Sequence, residues 1–307
     1  MEAIHLASLR VLAETGIDFL HPGARRLLTA AGARVDGDRV RFDTDTIDEY
    51  MATVPSEFTL HGRSSERNLQ IGADWVTFAS VASAPNYVDL EGNRKTGDRS
   101  GYRDFMKLGH MLNSIHTFAG FPVEPVNLHA SIRHLEAAYD AHTLTDKSFH
   151  IYSLGKQRNL DGIEMARISR GVDHETFERE PSLTSIINAS SPLRYDHPML
   201  EGIIQMSARN QVIIITPFTL AGAMAPITLA GALVQQNAEA QLASQLESLR
   251  GKYTRDGKLI KAPAGSVVVL APEDGSVVAL ASYPTYDPAE FVNGISKSSV
   301  KKGYICL

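Results

Sequence analysis

The stretch Thr216-Pro-Phe-Thr-Leu-Ala-Gly-Ala-Met-Ala-Pro-Ile-Thr-Leu-Ala-Gly-Ala-Leu-Val-Gln-Gln-Asn-Ala-Glu239 decides the fold class of this 307-residue chain. It follows the apolar, β-branched run Val212–Thr216, which is typical of a buried parallel strand. A loop of small residues, Ala221–Ala225, comes next. We expect Pro226 to open a helix, because proline fits the first helical turn, where its missing N–H costs nothing. Together these segments predict a βα unit, and α/β proteins bind ligands at the C-terminal ends of such strands.

From about residue 100 onward, apolar runs typical of strands alternate with amphipathic segments typical of helices. Strands are predicted at Ile115–Phe121, Phe149–Leu154, Leu183–Ala189 and Val212–Phe218, and the helices preceding them at Tyr102–Leu112, Ser131–Leu144, Leu160–Arg170 and Met199–Asn210. Helical connections imply right-handed crossovers and a parallel sheet. About four such units predict an α/β fold that is part of a (β/α)₈ TIM barrel.

The segments on either side follow other patterns. Residues 1–99 predict an α+β cap with helices at 2–15, 22–31 and 45–53, a short hairpin strand at Arg39–Phe42 and antiparallel strands over 58–81. Residues 100–245 form the predicted partial barrel. Residues 246–307 predict a tail with a β-hairpin, made of Gly265–Leu270 and Ser276–Ala281.

Composition narrows the functional class. The chain is 43% hydrophobic and 21% charged, as in ordinary globular proteins, and its net charge of −5 does not favour a nucleic-acid partner. Apolar runs are too short for a membrane span, and no signal peptide is visible, so we expect a cytoplasmic location. A single cysteine, Cys306, rules out a disulfide framework or a cysteine-based zinc site.

Several spaced motifs resemble the trimethylamine methyltransferase family, the corrinoid-dependent enzymes that demethylate trimethylamine or quaternary amines. The resemblance covers residues 2–240 and rests on Ala7–Ile17, Asn86–Gly92, Ile187–Leu193 and Thr216–Glu239. It implies a TIM barrel whose open face receives a partner protein that carries a methylcobamide. It also implies transfer of a methyl group from a tertiary or quaternary methylamine to the cobalt of that corrinoid.

The tail carries a different resemblance. Lys261–Leu270 and Ser282–Ser296 are similar to the start of the transpeptidase domain of penicillin-binding proteins. Two resemblances in one chain predict a chimeric junction near residue 245. The remaining barrel strands would then be absent, together with the position of the family's pyrrolysine. No catalytic residue is therefore assigned, and we expect truncation to impair transfer.

Four aromatic residues lie near the predicted strand ends: Phe121, Tyr152, Tyr195 and Phe218. Aromatic faces attract quaternary ammonium groups by about 0.5–2 kcal/mol each, so these side chains predict a shared substrate pocket. The alternative is that they pack between strands and helices. Glu124, after the first predicted strand, is either a counter-charge for a cationic substrate or a solvated loop carboxylate.

Small and polar residues near the third and fourth strands predict further contacts. Asn188 is either a ligand for a substrate carboxylate or corrinoid amide, or part of a turn cap. Ser190 and Ser191 are expected to belong to the loop that faces the corrinoid, and the alternative is that they cap the same turn. The residues Ala221, Gly222, Ala223 and Met224 are expected to face the corrinoid, although tight helix–strand packing would also select them.

Other chemistries find little support in the sequence. The spacing of His129, His134 and His142 does not match a metal site, and no dinucleotide or P-loop motif is present, so no bound metal or nucleotide is predicted. Ser298–Lys301 matches S-x-x-K and Lys95–Gly97 matches K-T-G, but their order is reversed relative to β-lactam-binding enzymes, and S-D-N is missing.

The sequence therefore predicts a corrinoid-dependent methylamine methyltransferase. Two alternatives remain: a non-catalytic module that binds a betaine or a corrinoid protein, and a fragment of a penicillin-binding-type transpeptidase. The expected partners are a methylated amine and a corrinoid protein, without nucleic acid or membrane. Because an open half barrel exposes a strand edge, we also expect a homo-oligomer.

Overall fold

The structure, a computed structural model, describes residues 2–72, 75–251, 266–270 and 277–282, with side chains for 2–72 and 75–241. The α-helices are α1 Glu2–Arg10, α2 Pro22–Ala30, α3 Thr44–Met51, α4 Arg99–Met111, α5 Arg133–Leu144, α6 Lys156–Arg170, α7 His174–Arg179, α8 His197–Ser207 and α9 Leu229–Gly251. The strands are β1 Ile17–Phe19, β2 Arg34–Asp36, β3 Arg39–Arg41, β4 Glu57–Leu60, β5 Leu69–Gly72, β6 Asn86–Val88, β7 Arg94–Thr96, β8 Phe149–His150, β9 Leu183–Ile187, β10 Arg194–Tyr195, β11 Val212–Ile215, β12 Ser266–Leu270 and β13 Val277–Ser282.

The chain divides into two compact units that are discontinuous in sequence. The first contains the described residues of Met1–Ser56, Ser153–Lys156 and Ile186–Ile295, and the second those of Glu57–Tyr152 and Gln157–Ser185. The domain boundaries near residues 99 and 245 stay predictions. In the described part of the chain, no helix has both the length and the hydropathy required to cross a bilayer.

The first unit is built on a four-stranded sheet with the order β10-β1-β3-β2. β1 pairs in parallel with β10, where Phe19 is opposite Tyr195, and in antiparallel with β3, where Ile17 is opposite Val40. Helix α9 packs against α1, α3 and α8. β12 and β13 pair in antiparallel, with Ser266 opposite Ser282.

The second unit contains a run of parallel pairings. Ala79 pairs with Thr117, Phe118 with Phe149, and β8 with β9, where Phe149 is opposite Leu183. Two antiparallel pairs, β4 with β5 and β6 with β7, belong to the same unit. The alternating strands and helices of a mixed α/β chain are therefore present, although the strands are short.

Several predicted elements need correction. The strand predicted at Ile115–Phe121 is reduced to single bridges at Thr117 and Phe118. The region 58–81 is antiparallel only in its first half, because Ala79 pairs in parallel. Helix α9 begins at Leu229, not at Pro226, because the hydroxyl of Thr228 accepts a hydrogen bond from Gly231 N and caps the helix there. Helix α7 and strand β10 were not predicted.

Much of the predicted tail lies outside the described residues. Residues 252–265, 271–276 and 283–307 lie outside the described residues, and with them Ser298–Lys301 and most of the stretch that resembles a transpeptidase.

Lys95 of the K-T-G match lies in β7, where its ammonium pairs with Asp89 at 2.9 Å.

Candidate functional site

Two of the predicted aromatic residues come together in the second unit. Phe121 follows the parallel bridge at Phe118, and Tyr152 follows β8, so both lie at C-terminal ends of paired segments. Their ring centroids are 4.8 Å apart with an interplanar angle of 62°. Both side chains are half-buried, whereas Tyr102, edge-on to Phe121 at 5.5 Å, is buried.

The hydroxyl of Tyr152 fixes the position of its ring. It accepts a hydrogen bond from Phe121 N at 3.0 Å and lies 2.6 Å from Ser83 Oγ. Either hydroxyl can supply the proton of the Tyr152–Ser83 hydrogen bond. Burial raises the pKa of Tyr152, so the phenol stays neutral at physiological pH.

Gly120 makes room for this arrangement. A Cβ on this residue would overlap the Tyr152 hydroxyl, and it would lie 2.9 Å from Ala82 Cβ. The φ angle of Gly120 is 152°. A side chain here would therefore displace Tyr152 from its position beside Phe121.

Glu124, the predicted counter-charge, already has a cationic partner. Its Oε1 atom accepts a hydrogen bond from Arg133 Nη1 at 3.2 Å, and Arg133 also binds the carbonyl oxygens of Val126 and Leu128. A cationic substrate would have to compete with this guanidinium. The role of Glu124 in substrate binding stays a prediction.

Asn188 and Thr216 lie side by side in the first unit, at the ends of β9 and β11. Thr216 N donates to Ile187 O at 2.9 Å, and the Thr216 hydroxyl donates to Asn188 Oδ1 at 2.6 Å. Asn188 is exposed. Because its oxygen is occupied by Thr216, its amide NH₂ group is the part oriented to donate to a ligand. Ser190 Oγ is 3.3 Å from Asp196, the N-cap of α8.

Glu239 on α9 organises the segment that follows Asn188. Its carboxylate accepts hydrogen bonds from Ser191 Oγ at 2.8 Å and from Leu193 N at 2.7 Å. Its backbone oxygen accepts the hydroxyl of Tyr195 at 2.8 Å. Tyr195 is fully buried, so its ring packs in the core of this unit. Burial raises the pKa of the Glu239 carboxyl, although these hydrogen bonds act in the opposite direction.

The small-residue loop after β11 is compact and open to solvent. Ala223, Met224 and Ala225 all donate their N–H groups to Leu220 O, and Gly222 takes a φ of 81°. Met224 O accepts a hydrogen bond from Gln235 Nε2 at 2.9 Å. The side chains of Ala221 and Ala223 are exposed, and Phe218 before them is 53% exposed.

The predicted residues thus form separate groups. Phe121 and Tyr152 contact each other in the second unit. In the first unit, Ser191 and Tyr195 share Glu239, while Asn188 contacts Thr216. Gln235, Glu239 and Ser83 were not predicted to take part. For Gln235 and Glu239 the sequence did offer a signal, because two polar residues four positions apart lie on the same face of a helix.

A further cluster joins His21, His197 and Glu201 in the first unit, and these side chains could hold a metal ion. However, His21 Nδ1 accepts a hydrogen bond from Ala24 N at 3.1 Å, so the ring proton lies on Nε2. That proton is donated to Glu201 Oε2 at 2.7 Å. A metal at Nε2 would displace the proton and break the helix cap, because metal-bound imidazoles carry a proton on the other nitrogen.

Comparison with known proteins gives one family. The sequence profile of the trimethylamine methyltransferase (MTTB) family matches residues 1–253. Glycine betaine methyltransferase of Desulfitobacterium hafniense is 33% identical over 239 residues, covering 78% of this chain and 50% of the relative. Trimethylamine methyltransferase MttB of the same species is 27% identical, and the match covers 86% of this chain and 55% of the relative. Proline betaine:corrinoid methyltransferase of Eubacterium limosum is 22% identical, and the match covers 78% of this chain and 50% of the relative.

Solved structures agree at the level of the fold. The chain resembles MtmB in its hydroxylamine complex with a TM-score of 0.54 and 11% identity, covering 86% of this chain and 51% of that one. The monomethylamine methyltransferase MtmB of Methanosarcina barkeri gives a TM-score of 0.50 and 10% identity, covering 85% and 57%. These neighbours have a TIM-barrel-like fold. The chain spans about half the length of the curated relatives it matches.

Proposed function

Because the chain belongs to the trimethylamine methyltransferase family, we propose that it moves a methyl group from a tertiary or quaternary methylamine to a corrinoid held by a partner protein. The reduced cobalt of the corrinoid would supply the nucleophile. The chain's own residues would bind the amine, orient it and exclude water around the reacting carbon. None of these tasks demands a general acid or base from the protein.

The observation that carries the proposal is the fixed pair of aromatic rings at Phe121 and Tyr152. A methylated ammonium group is attracted to such faces by about 0.5–2 kcal/mol per ring. Hydrogen bonds with Phe121 N and with the Ser83 hydroxyl hold the Tyr152 ring in place, so little side-chain entropy would be lost on binding. The neutral phenol presents the electron-rich face that a cation prefers.

The corrinoid would be approached by the loop after β11. Ala221, Gly222 and Ala223 are exposed and carry nothing larger than a methyl group, which suits contact with a flat macrocycle. The positive φ of Gly222 keeps this turn free of side-chain bulk. We assign Met224, Ser190 and Ser191 to the support of the same surface.

A betaine is the amine class we favour. The identity with a glycine betaine methyltransferase, 33%, exceeds the 27% with a trimethylamine methyltransferase. In the first unit, the exposed amide of Asn188, whose oxygen is held by Thr216, can donate to a carboxylate or to a corrinoid side-chain amide.

A transfer assay tests the proposal. The full chain is incubated with free reduced cobalamin and either glycine betaine or trimethylamine, and the absorbance spectrum is followed for methylation of cobalt. We expect betaine to support transfer faster than trimethylamine, and Tyr152→Ala to slow it. Betaine binding without transfer would favour the non-catalytic binding module instead. If the chain neither binds betaine nor transfers a methyl group, the proposal is overturned.

A further inference from the structure

Two polar residues of α9 reach both loops that follow β9 and β11 in the first unit. We call residues 188–193 the β9 loop and residues 216–225 the β11 loop. Gln235 and Glu239 lie one helical turn apart, and both are buried, at 7% and 0% exposure. Buried polar side chains on a helix are costly unless their hydrogen bonds are satisfied, so their contacts indicate what keeps them there.

Each residue contacts one loop, and the two contact each other. Glu239 accepts hydrogen bonds from Ser191 Oγ and Leu193 N in the β9 loop. Gln235 donates to Met224 O in the β11 loop and to Glu239 Oε1 at 3.1 Å. A continuous chain of hydrogen bonds therefore runs from one loop to the other through α9.

The carboxylate is suited to this task. Three donors converge on its two oxygens, which an ionised carboxylate can accept without rearrangement. No ion pair of Glu239 occurs among the side chains that the structure describes. Its neighbours are dipoles rather than a cation, so the contacts fix geometry more than they neutralise charge.

We propose that Glu239 is a positioning residue that holds the β9 loop and the β11 loop in one fixed arrangement. The inference rests on the proposed function only in assigning these loops to the surface that meets the corrinoid. Glu239 itself is too buried to touch a ligand. It acts through Ser191 and Leu193 on one side and through Gln235 on the other.

Hydrogen exchange of the full chain, read by mass spectrometry in peptides from the two loops, tests this coupling without requiring activity. Glu239→Ala should accelerate exchange about tenfold or more in both loops, because it removes the three hydrogen bonds that the carboxylate accepts. Gln235→Leu should accelerate exchange in the β11 loop alone. Gln236→Ala, one position along the helix, is the matched control and should change neither loop.

Glu239→Gln separates geometry from charge. Its oxygen can accept from Leu193 and Gln235, and its NH₂ group can donate to Ser191 Oγ, so exchange in both loops should stay within about threefold of the wild type. If Glu239→Ala does not fold, Ser191→Ala combined with Gln235→Leu replaces it, and the pair should accelerate both loops more than the single changes predict.

Three results would each overturn the proposal. They are acceleration of exchange in only one loop of Glu239→Ala, additive effects of the Ser191 and Gln235 changes, and equal acceleration of exchange throughout the chain. Failure of methyl transfer with an intact exchange pattern would count against the proposed function alone. An altered exchange pattern in a chain that transfers methyl groups normally would count against the positioning role alone.

Discussion

His21 Nε2 donates a hydrogen bond to Glu201 Oε2 over 2.7 Å, although 180 positions separate the two residues. The same imidazole caps α2 through Nδ1, and its ring lies 4.2 Å from the ring of His197 between centroids. One side chain therefore both starts a helix and joins it to α8. Burial raises the pKa of Glu201, but hydrogen bonds from Gln205 and His21 outweigh burial and lower it.

Replacing His21 should reveal these two roles separately. His21→Ala removes the cap, worth about 1 kcal/mol, and the bond to a charged acceptor, worth about 1.5–3 kcal/mol, so we expect a loss of about 2–4 kcal/mol. His21→Asn keeps a capping side chain and should lose about 1 kcal/mol less. Urea denaturation measures both values. Equal losses in the two variants would contradict the capping role.

Tyr152 should contribute its ring to binding and its hydroxyl to stability. Tyr152→Ala is expected to weaken glycine betaine binding by about 3–30-fold, which corresponds to about 0.5–2 kcal/mol. Tyr152→Phe keeps the ring and should change binding by less than about 3-fold while destabilising the fold by about 0.5–1.5 kcal/mol. Titration calorimetry compares them, with Tyr139→Ala, an exposed tyrosine, as control. Unchanged binding in Tyr152→Ala would exclude the aromatic site.

Gly120 should tolerate no side chain. Gly120→Ala places a methyl group against Tyr152 and Ala82, and we expect it to destabilise the chain by about 1–3 kcal/mol and to weaken amine binding. Gly155→Ala is the matched control, since it shares a positive φ, 107°, but meets no atom within 4 Å. Thermal denaturation and calorimetry give both readouts. A smaller loss at Gly120 than at Gly155 would show that backbone conformation, not the contact with Tyr152, dominates.

His150 should make stability depend on pH. Burial lowers its pKa to about 3, whereas an unfolded histidine has a pKa of about 6.5. Between these values the unfolded chain binds the proton and the folded chain does not, so stability falls as pH falls. The slope is about 1.4 kcal/mol per pH unit.

A pair of variants isolates this effect. Between pH 6.5 and 5, the wild type should lose about 2 kcal/mol more than His150→Gln. His174→Gln, at an exposed histidine, should follow the wild type. The free energy of unfolding in urea at each pH gives the comparison, and parallel curves for wild type and His150→Gln would refute the buried neutral histidine.

Local patterns predicted much of the fold. Hydrophobic periodicity located most of the helices to within a few residues, because it reflects which face of each helix is buried. Strand lengths were overestimated: the strand predicted at Phe149–Leu154 is limited to Phe149–His150. A strand ends where its partner turns away, and the sequence of one strand does not record that. The two-residue strand β10 carries no pattern of its own.

The candidate site was predictable only in part. Phe121 and Tyr152 were selected because aromatic side chains follow apolar runs, and the structure places them together. Glu239 stood at the end of the stretch that decided the fold, but its contacts with Ser191 and Leu193 depend on how the intervening segment turns. Tyr195 is buried and Phe218 is exposed, but the residue types near a strand end do not reveal this difference.

The parallel pairing of β1 with β10 has a consequence for synthesis on the ribosome. Ile17–Phe19 can pair with β3 early, but the neighbouring position in the sheet stays open until Arg194 and Tyr195 leave the exit tunnel. During that interval an unpaired strand edge is exposed to other nascent chains. Cotranslational folding of the N-terminal segment is therefore expected to finish late, and chaperones that shield extended segments should raise the yield of this protein.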